Sequence, residues 1–236
     1  MIVALILHLE TASPTCSVAL SENGQLLAIR EQTAQNIHAR VITLYIETVM
    51  KEAGKQLEEL DAVCVSKGPG SYTGLRIGVS TAKGLCYALD KPLIAVNTLE
   101  AMASGLLRRH GTPPGTGLCP MLDARRMEVF MAVYRKGPTG IECESEPQAI
   151  VLDETTLDPW LADGHGLVLF GTGAEKCRPL YENRPEIKIM DDFKQSAAHL
   201  IEPAERSYSQ RRFEDVAYFE PFYLKDFIST SPRAKK

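Results

Sequence analysis

The chain has 236 residues, 44% of them hydrophobic and 24% charged, with 26 Lys and Arg against 30 Asp and Glu. That balance lies near the globular average and argues against a disordered, fibrous or low-complexity chain, and the length suits one large domain or two small ones. A net charge of −4 argues against a protein that holds nucleic acid unaided, because that ordinarily needs a basic face.

The six cysteines include no Cys-x-x-Cys pair, and the histidines at 8, 38, 110, 165 and 199 include no pair four apart. A zinc ribbon, a thioredoxin-type site and a helical His-x3-His metal site are thereby excluded from expectation. The apolar start, Met1–Leu7, lacks a basic leader region, and Glu10 ends it. No apolar stretch approaches the ~20 residues needed to span a bilayer. The expectation is a cytoplasmic protein.

In chain order, Ile2–Leu9 reads as a strand buried on both faces. Cys16–Leu20 and Leu26–Glu31 flank Asn23-Gly24, the strongest short hairpin signal. A helix over Ile37–Ala53 is closed by Gly54, and the strand Ala62–Ser66 leads into Gly68-Pro-Gly-Ser-Tyr-Thr-Gly74. A helix over Thr73–Leu89, a strand over Leu93–Val96 and a helix over Thr98–Arg108 complete the first half. Asn97 is the natural cap of that last helix, with Glu100 three residues on.

His110–Gly117, rich in Gly and Pro, reads as a linker. The second half then repeats the order. Leu118–Leu122 and Met127–Tyr134 are strands around Asp123-Ala-Arg-Arg126, and Ala149–Leu152 is a third. A short helix near Thr156–Ala162 precedes the strand Leu167–Phe170. Gly171-Thr-Gly173 opens a helix to Tyr181, Ile187–Met190 is the last strand, and Gln195–Ser209 the last long helix. Each half is thus βββαβαβα, giving domains 1–109 and 110–236, although no amino-acid identity between the halves is visible. Hairpins make neighbours antiparallel and strand–helix–strand crossovers make them parallel, so each half is expected to be a mixed sheet covered by helices. Apolar residues near 218–224 dock the C-terminus, and the basic tail 229–236 is expected to be disordered.

Chemistry concentrates at the turns. The glycine-rich segment sits between a strand and a helix, where free backbone N–H groups can hold an anion. It is neither a P-loop nor a dinucleotide fingerprint. Tight turning and close helix packing would use the same glycines, so both readings stand open here. With Glu10 and Thr11 at the preceding turn, the candidate nucleotide or anion site is Glu10, Thr11, Gly68, Gly70, Ser71, Thr73 and Gly74.

The helix over Ile37–Ala53 has two apolar faces. At about 100° per residue, Ile37, Val41, Leu44 and Thr48 line one, and Ile42, Ile46, Val49 and Ala53 the other. That is more than burial on one side requires, so the helix is expected to pack on its own sheet and on something else. In the next helix Gly74, Gly78 and Ala82 form a small-residue ridge open to close approach. The expected partner surface is Ile42, Ile46, Val49, Gly74, Gly78 and Ala82.

Ile6–Leu20, Gly68–Gly78, Met121–Phe130 and the closing Pro221-Phe-Tyr-Leu-Lys225 together resemble the TsaB (YeaZ) family, along essentially the whole chain. The resemblance implies two ribonuclease-H-like halves of the actin/Hsp70/sugar-kinase ATPase type. It implies a non-catalytic partner of TsaD, which adds a threonylcarbamoyl group to N6 of adenosine 37 in tRNAs reading ANN codons. It further implies that the first two helices form a bundle with TsaD, or with a second copy when TsaD is absent, and that the ATPase TsaE docks on the pair. No metal and no catalytic residue are expected of this chain, and ATP or ADP is expected only at the complex interface. Glu10 stands where ATPases of this superfamily usually carry Asp, and Asp123-Ala-Arg-Arg126 lacks phosphate-loop glycines. The alternative reading is a stand-alone small-molecule kinase or ATPase of the same fold.

Overall fold

The computed structural model describes residues 4–225, except 139 and 162; the tail expected at 229–236, the first residues of the first strand and the end of the short helix placed at 156–162 lie outside them. Strands β1 (Leu5–Glu10), β2 (Thr15–Glu22) and β3 (Gln25–Thr33) form an antiparallel meander, with Leu7 opposite Leu20. Asn23 and Gly24 turn the β2–β3 hairpin with φ of 53° and 72°, the left-handed pair that a two-residue hairpin demands. After helix α1 (His38–Glu52), β4 (Ala62–Gly68) pairs parallel with β1. After α2 (Tyr72–Leu89), β5 (Leu93–Asn97) pairs parallel with β4. The sheet order is β3-β2-β1-β4-β5.

Helix α3 (Thr98–His110) is capped by Asn97, whose side chain accepts from the Leu99 and Glu100 amides. It leads to the second sheet, β6 (Gly117–Asp123), β7 (Glu128–Gly137), β8 (Gly140–Val151), β9 (Leu167–Phe170) and β10 (Ile187–Met190), ordered β8-β7-β6-β9-β10. The two orders are the same topology used twice, two ribonuclease-H-like α/β halves of mixed sheet.

The second half is less helical than its sequence pattern suggests. The helix expected at 156–162 is a 3-10 turn, Asp158–Trp160, and the one before Tyr181 is another, Glu175–Cys177, followed by a single turn α4 (Arg178–Tyr181). The last helix is a 3-10 turn, Ala197–Leu200, followed by α5 (Ile201–Ser209). Pro159, Pro179 and Pro203 mark these places, since each proline lacks an N–H and its ring clashes with the carbonyl four residues back. The third strand is much longer than Ala149–Leu152. Its acidic alternation (Glu142, Glu144, Glu146) and Pro147 suit an edge strand, which is where β8 lies.

Alternation along β1 divides the core. Leu5, Leu7 and Leu9 face α1 and α2; Ile6, with Cys64 and Ile94, faces Ala101 of α3 and Leu200 and Ala204 at the last helix. The opposite side of α3 packs Leu99, Met102 and Leu106 on Leu118, Tyr134 and Phe170 of the second sheet. Helix α3 is buried from Thr98 to Leu106, half-buried Glu100 excepted, because it lies between the two sheets. Contacts of α3 and α5 join the halves: Arg206 meets Glu100 at 2.6 Å, and Ser104 Oγ donates to Glu202 at 2.6 Å. A Cβ on Gly105 would stand 2.3 Å from the His199 ring, so this crossing requires glycine.

Candidate functional site

The halves face one another across a cavity of about 820 Å³. Its walls are the matching turns of the two sheets, 12–14 and 122–126, together with residues 69–73 at the entry to α2, Glu128 and Phe130 of β7, Thr172, and the C-terminal residues 222–225.

Of the anion-site residues expected from sequence, Gly70, Ser71 and Thr73 line this cavity, whereas Glu10, Thr11, Gly68 and Gly74 lie behind its wall. Glu10 ends β1 fully enclosed, and its carboxylate accepts the Ala12 amide at 2.6 Å, closing its own turn. Burial pushes its pKa up to about 7, opposed by the hydrogen bond from the Ala12 amide. The glycines are occupied by packing. A Cβ on Gly70 would sit 2.5 Å from the Ala12 carbonyl oxygen, on Gly74 2.1 Å from that of Thr11, and on Gly78 2.2 Å from Thr11 Oγ1. Gly68, at φ 116°, would place a Cβ 2.4 Å from the Phe222 carbonyl oxygen. At the start of α2 the protein itself fills anion-binding positions: the Ser71 amide donates to Ala12 O at 2.7 Å, and Ser71 Oγ accepts from the Gly74 amide at 3.3 Å. Of the two readings of this segment, close packing is the one the geometry realises at Gly70, Gly74 and Gly78.

The second turn is built differently. Arg125 and Arg126 occupy the left-handed region (φ 74° and 49°), held by Asp123, which accepts the Arg125 amide at 3.0 Å and pairs with Lys176. Neither arginine side chain has an ion-pair partner among the described residues, so the cavity wall is cationic there.

The C-terminal segment straps the cavity mouth. Its path starts at β5, where the Glu214 amide donates to Leu93 O at 2.9 Å, and the Phe222 amide donates to Lys67 O at 2.7 Å. Lys83 of α2 donates to Phe219 O at 2.9 Å. Arg76 lies 4.2 Å over the Tyr72 ring and donates to Tyr223 Oη at 3.3 Å. Lys225 then pairs with Glu128 of β7, joining the strap to the second half. The roles of Arg76 and Lys83 were missed in the sequence, where nothing links α2 to a segment over 130 residues away.

Of the residues expected to meet a partner, Ile46 also floors a surface groove, while the others are taken up within the chain. Ile42, Ile46, Val49 and Ala82 are core residues packed on the first sheet, and Gly74 and Gly78 are closed off by Thr11. Periodicity resolves two apolar faces of α1 but does not say which one the sheet takes. The sheet takes the Ile42 face. The outward face carries Leu44, 56% exposed, flanked by half-buried Val41 and Tyr45. Between α1 and α2 runs a groove of about 560 Å³ floored by Ile46, Met50, Leu57 and Leu85.

A family model described as TsaD, tRNA N6-adenosine threonylcarbamoyltransferase, matches residues 29–219. The chain belongs to this family. The TsaB protein of Escherichia coli strain K12, a tRNA threonylcarbamoyladenosine biosynthesis protein, is 28% identical over 95% of this chain and 96% of its own length. The TsaB of Haemophilus influenzae is 28% identical over 95% and 94%. A tRNA N6-adenosine threonylcarbamoyltransferase of Chlorobium phaeobacteroides is 25% identical over 90% of this chain but only 71% of the transferase. The solved structure of YeaZ from Pseudomonas aeruginosa matches with a TM-score of 0.83 at 25% identity, covering 94% of this chain and all of YeaZ. End-to-end agreement with TsaB and YeaZ places the chain on the TsaB side of the TsaD family. Among the described residues no group of three or more His, Cys, Asp and Glu could hold a metal ion, and no helix is long and apolar enough to cross a membrane.

Proposed function

We propose that this chain is the non-catalytic partner subunit in tRNA N6-threonylcarbamoyladenosine formation, pairing with a TsaD-type transferase. Its first two helices supply the docking face through the outward side of α1 and the groove beside α2. TsaE docks on the assembled pair, and a second copy of the chain takes the same face when TsaD is absent. ATP or ADP binds at the interface of the complex.

One observation carries the reading: the place a Cβ of Gly74 would take is filled by the Thr11 carbonyl oxygen. A stand-alone kinase or ATPase needs backbone free to close on phosphate, and Gly70, Gly74 and Gly78 are committed to holding α2 against the first turn. What remains is an α2 packed on the first turn beside an α1 whose outward side leaves Leu44 exposed between half-buried Val41 and Tyr45, which suits an interaction subunit.

The test is reconstitution. Purified chain, TsaD partner, threonylcarbamoyl donor and tRNA should give modified adenosine, and omission of the chain should abolish it. The chain alone should not hydrolyse ATP. Leu44→Arg should fold normally yet no longer co-elute with TsaD. Hydrolysis by the chain alone, or modification without it, overturns the assignment; undiminished co-elution of Leu44→Arg overturns the docking face.

A further inference from the structure

Behind Phe222, separate from the main cavity, lies a smaller one of about 370 Å³, within the size range of small-molecule sites. Two walls of opposite character bound it. The first half contributes Lys67 at the end of β4 and Asn97 at the end of β5. The second half contributes Tyr134 of β7 with Cys143 and Glu146 of β8, and Glu100 of α3 lies between.

The hydrogen-bonding state of these groups is uneven. Glu100 is already paired with Arg206 at 2.6 Å. The Oδ1 of Asn97 caps α3, leaving its amide NH₂ without a partner among the described residues. Lys67 and Glu146 make no ion pair, with each other or with any described residue, although they line one cavity. Tyr134 is 4% exposed and its hydroxyl makes no hydrogen bond to a described residue, while burial raises its pKa and Cys143, Glu100 and Glu146 nearby raise it further. An enclosed tyrosine ordinarily finds a partner for its hydroxyl. The pocket therefore presents donors on one wall (Lys67, Asn97), and on the other an acceptor carboxylate (Glu146) with a spare hydroxyl (Tyr134).

We propose that this cavity binds a small zwitterion of the α-amino-acid class, its carboxylate on Lys67 and Asn97 and its ammonium on Glu146. A simple anion would satisfy Lys67 but meet two carboxylates, and a simple amine would leave Lys67 unpaired; a zwitterion satisfies both charges at once. Tyr134 Oη supplies the further hydrogen bond, and the Phe222 ring closes the side towards the main cavity. This site stands whether or not the chain pairs with a transferase.

The experiment is ligand-observed NMR on the full-length chain with the standard L-amino acids, followed by calorimetry on the strongest binder. Propionate and n-propylamine serve as probes carrying one charge each. We expect saturable binding of at least one amino acid and none of either single-charge probe. Lys67→Met and Glu146→Gln should each weaken binding about tenfold or more without lowering the melting temperature of the free protein, as Lys67 is half-buried, Glu146 is exposed, and neither has an ion-pair partner among the described residues. Tyr134→Phe should weaken binding less. Absence of binding across the whole panel, equal binding of a single-charge probe, or indifference to both charge-removing variants overturns the proposal.

Discussion

A Cβ on Gly74 would lie 2.1 Å from the carbonyl oxygen of Thr11. This is backbone against backbone: the first turn of α2 rests directly on the turn between β1 and β2, with no side chain between them.

Two glycines of α2 should therefore respond to alanine with opposite signs. Gly74→Ala forces the helix off the turn, and overpacking of this kind costs about 1–3 kcal/mol, more than the ~1 kcal/mol gained in helix propensity. At Gly84, in the same helix, an added Cβ meets nothing within 4 Å, so Gly84→Ala should stabilise by about 0.5–1 kcal/mol. Denaturant unfolding of both variants measures the pair, and equal signs would refute the packing account.

Buried groups contribute to the pH dependence of stability with opposite signs, as Glu10 and His8 illustrate. Glu10 has its pKa raised to about 7 by burial, so the folded protein holds a proton there that the unfolded chain releases above its ordinary value near 4.5. Its contribution is complete below 4.5 and lost as pH rises through 7. His8, lowered to about 3 by burial, acts the other way: its contribution is complete above 6.5 and lost as pH falls towards 3. Glu10→Gln keeps an acceptor for the Ala12 amide and removes the first titration. Chemical denaturation between pH 5 and 8 should show wild-type stability falling relative to that of Glu10→Gln, by up to about 3 kcal/mol.

Neighbouring residues of α1 separate folding from docking. Ile46, 5% exposed, should cost about 2–5 kcal/mol as Ile46→Ala through lost burial and a cavity. Leu44, 56% exposed, should change stability by no more than ~0.5 kcal/mol as Leu44→Ala. Thermal melts of the isolated chain decide this without reference to any partner.

The strap across the cavity depends on Arg76. Arg76→Ala removes its stacking on Tyr72 and its bond to Tyr223, a small loss at an exposed site that should loosen the strap without unfolding the chain. Hydrogen exchange should quicken at the Phe222 amide, which donates to Lys67 O, while amides of β1 keep their protection. Unchanged exchange at Phe222 would mean that the strap is held elsewhere.

The amino-acid sequence alone settles the elements that depend on neighbours along the chain. Asn23-Gly24 demands a hairpin, Asn97 caps α3, alternation and crossover lengths require two mixed sheets, and the motifs around Gly68–Gly78 and Asp123 carry the family. These are local, and local chemistry is written in consecutive residues. The prolines at 159, 179 and 203 were equally legible as helix breakers, yet the apolar pattern around them suggested longer helices. Tertiary structure alone decided which face of α1 met the sheet, whether the glycines cradled an anion or a carbonyl, and that residues 214–225 return to α2 and β4. Each of those outcomes depends on groups that are distant in sequence and meet only when the sheets close: Thr11 on Gly74, Tyr223 on Arg76, Phe222 on Lys67. A periodic pattern states how much surface must be covered, and only the packed chain states by what.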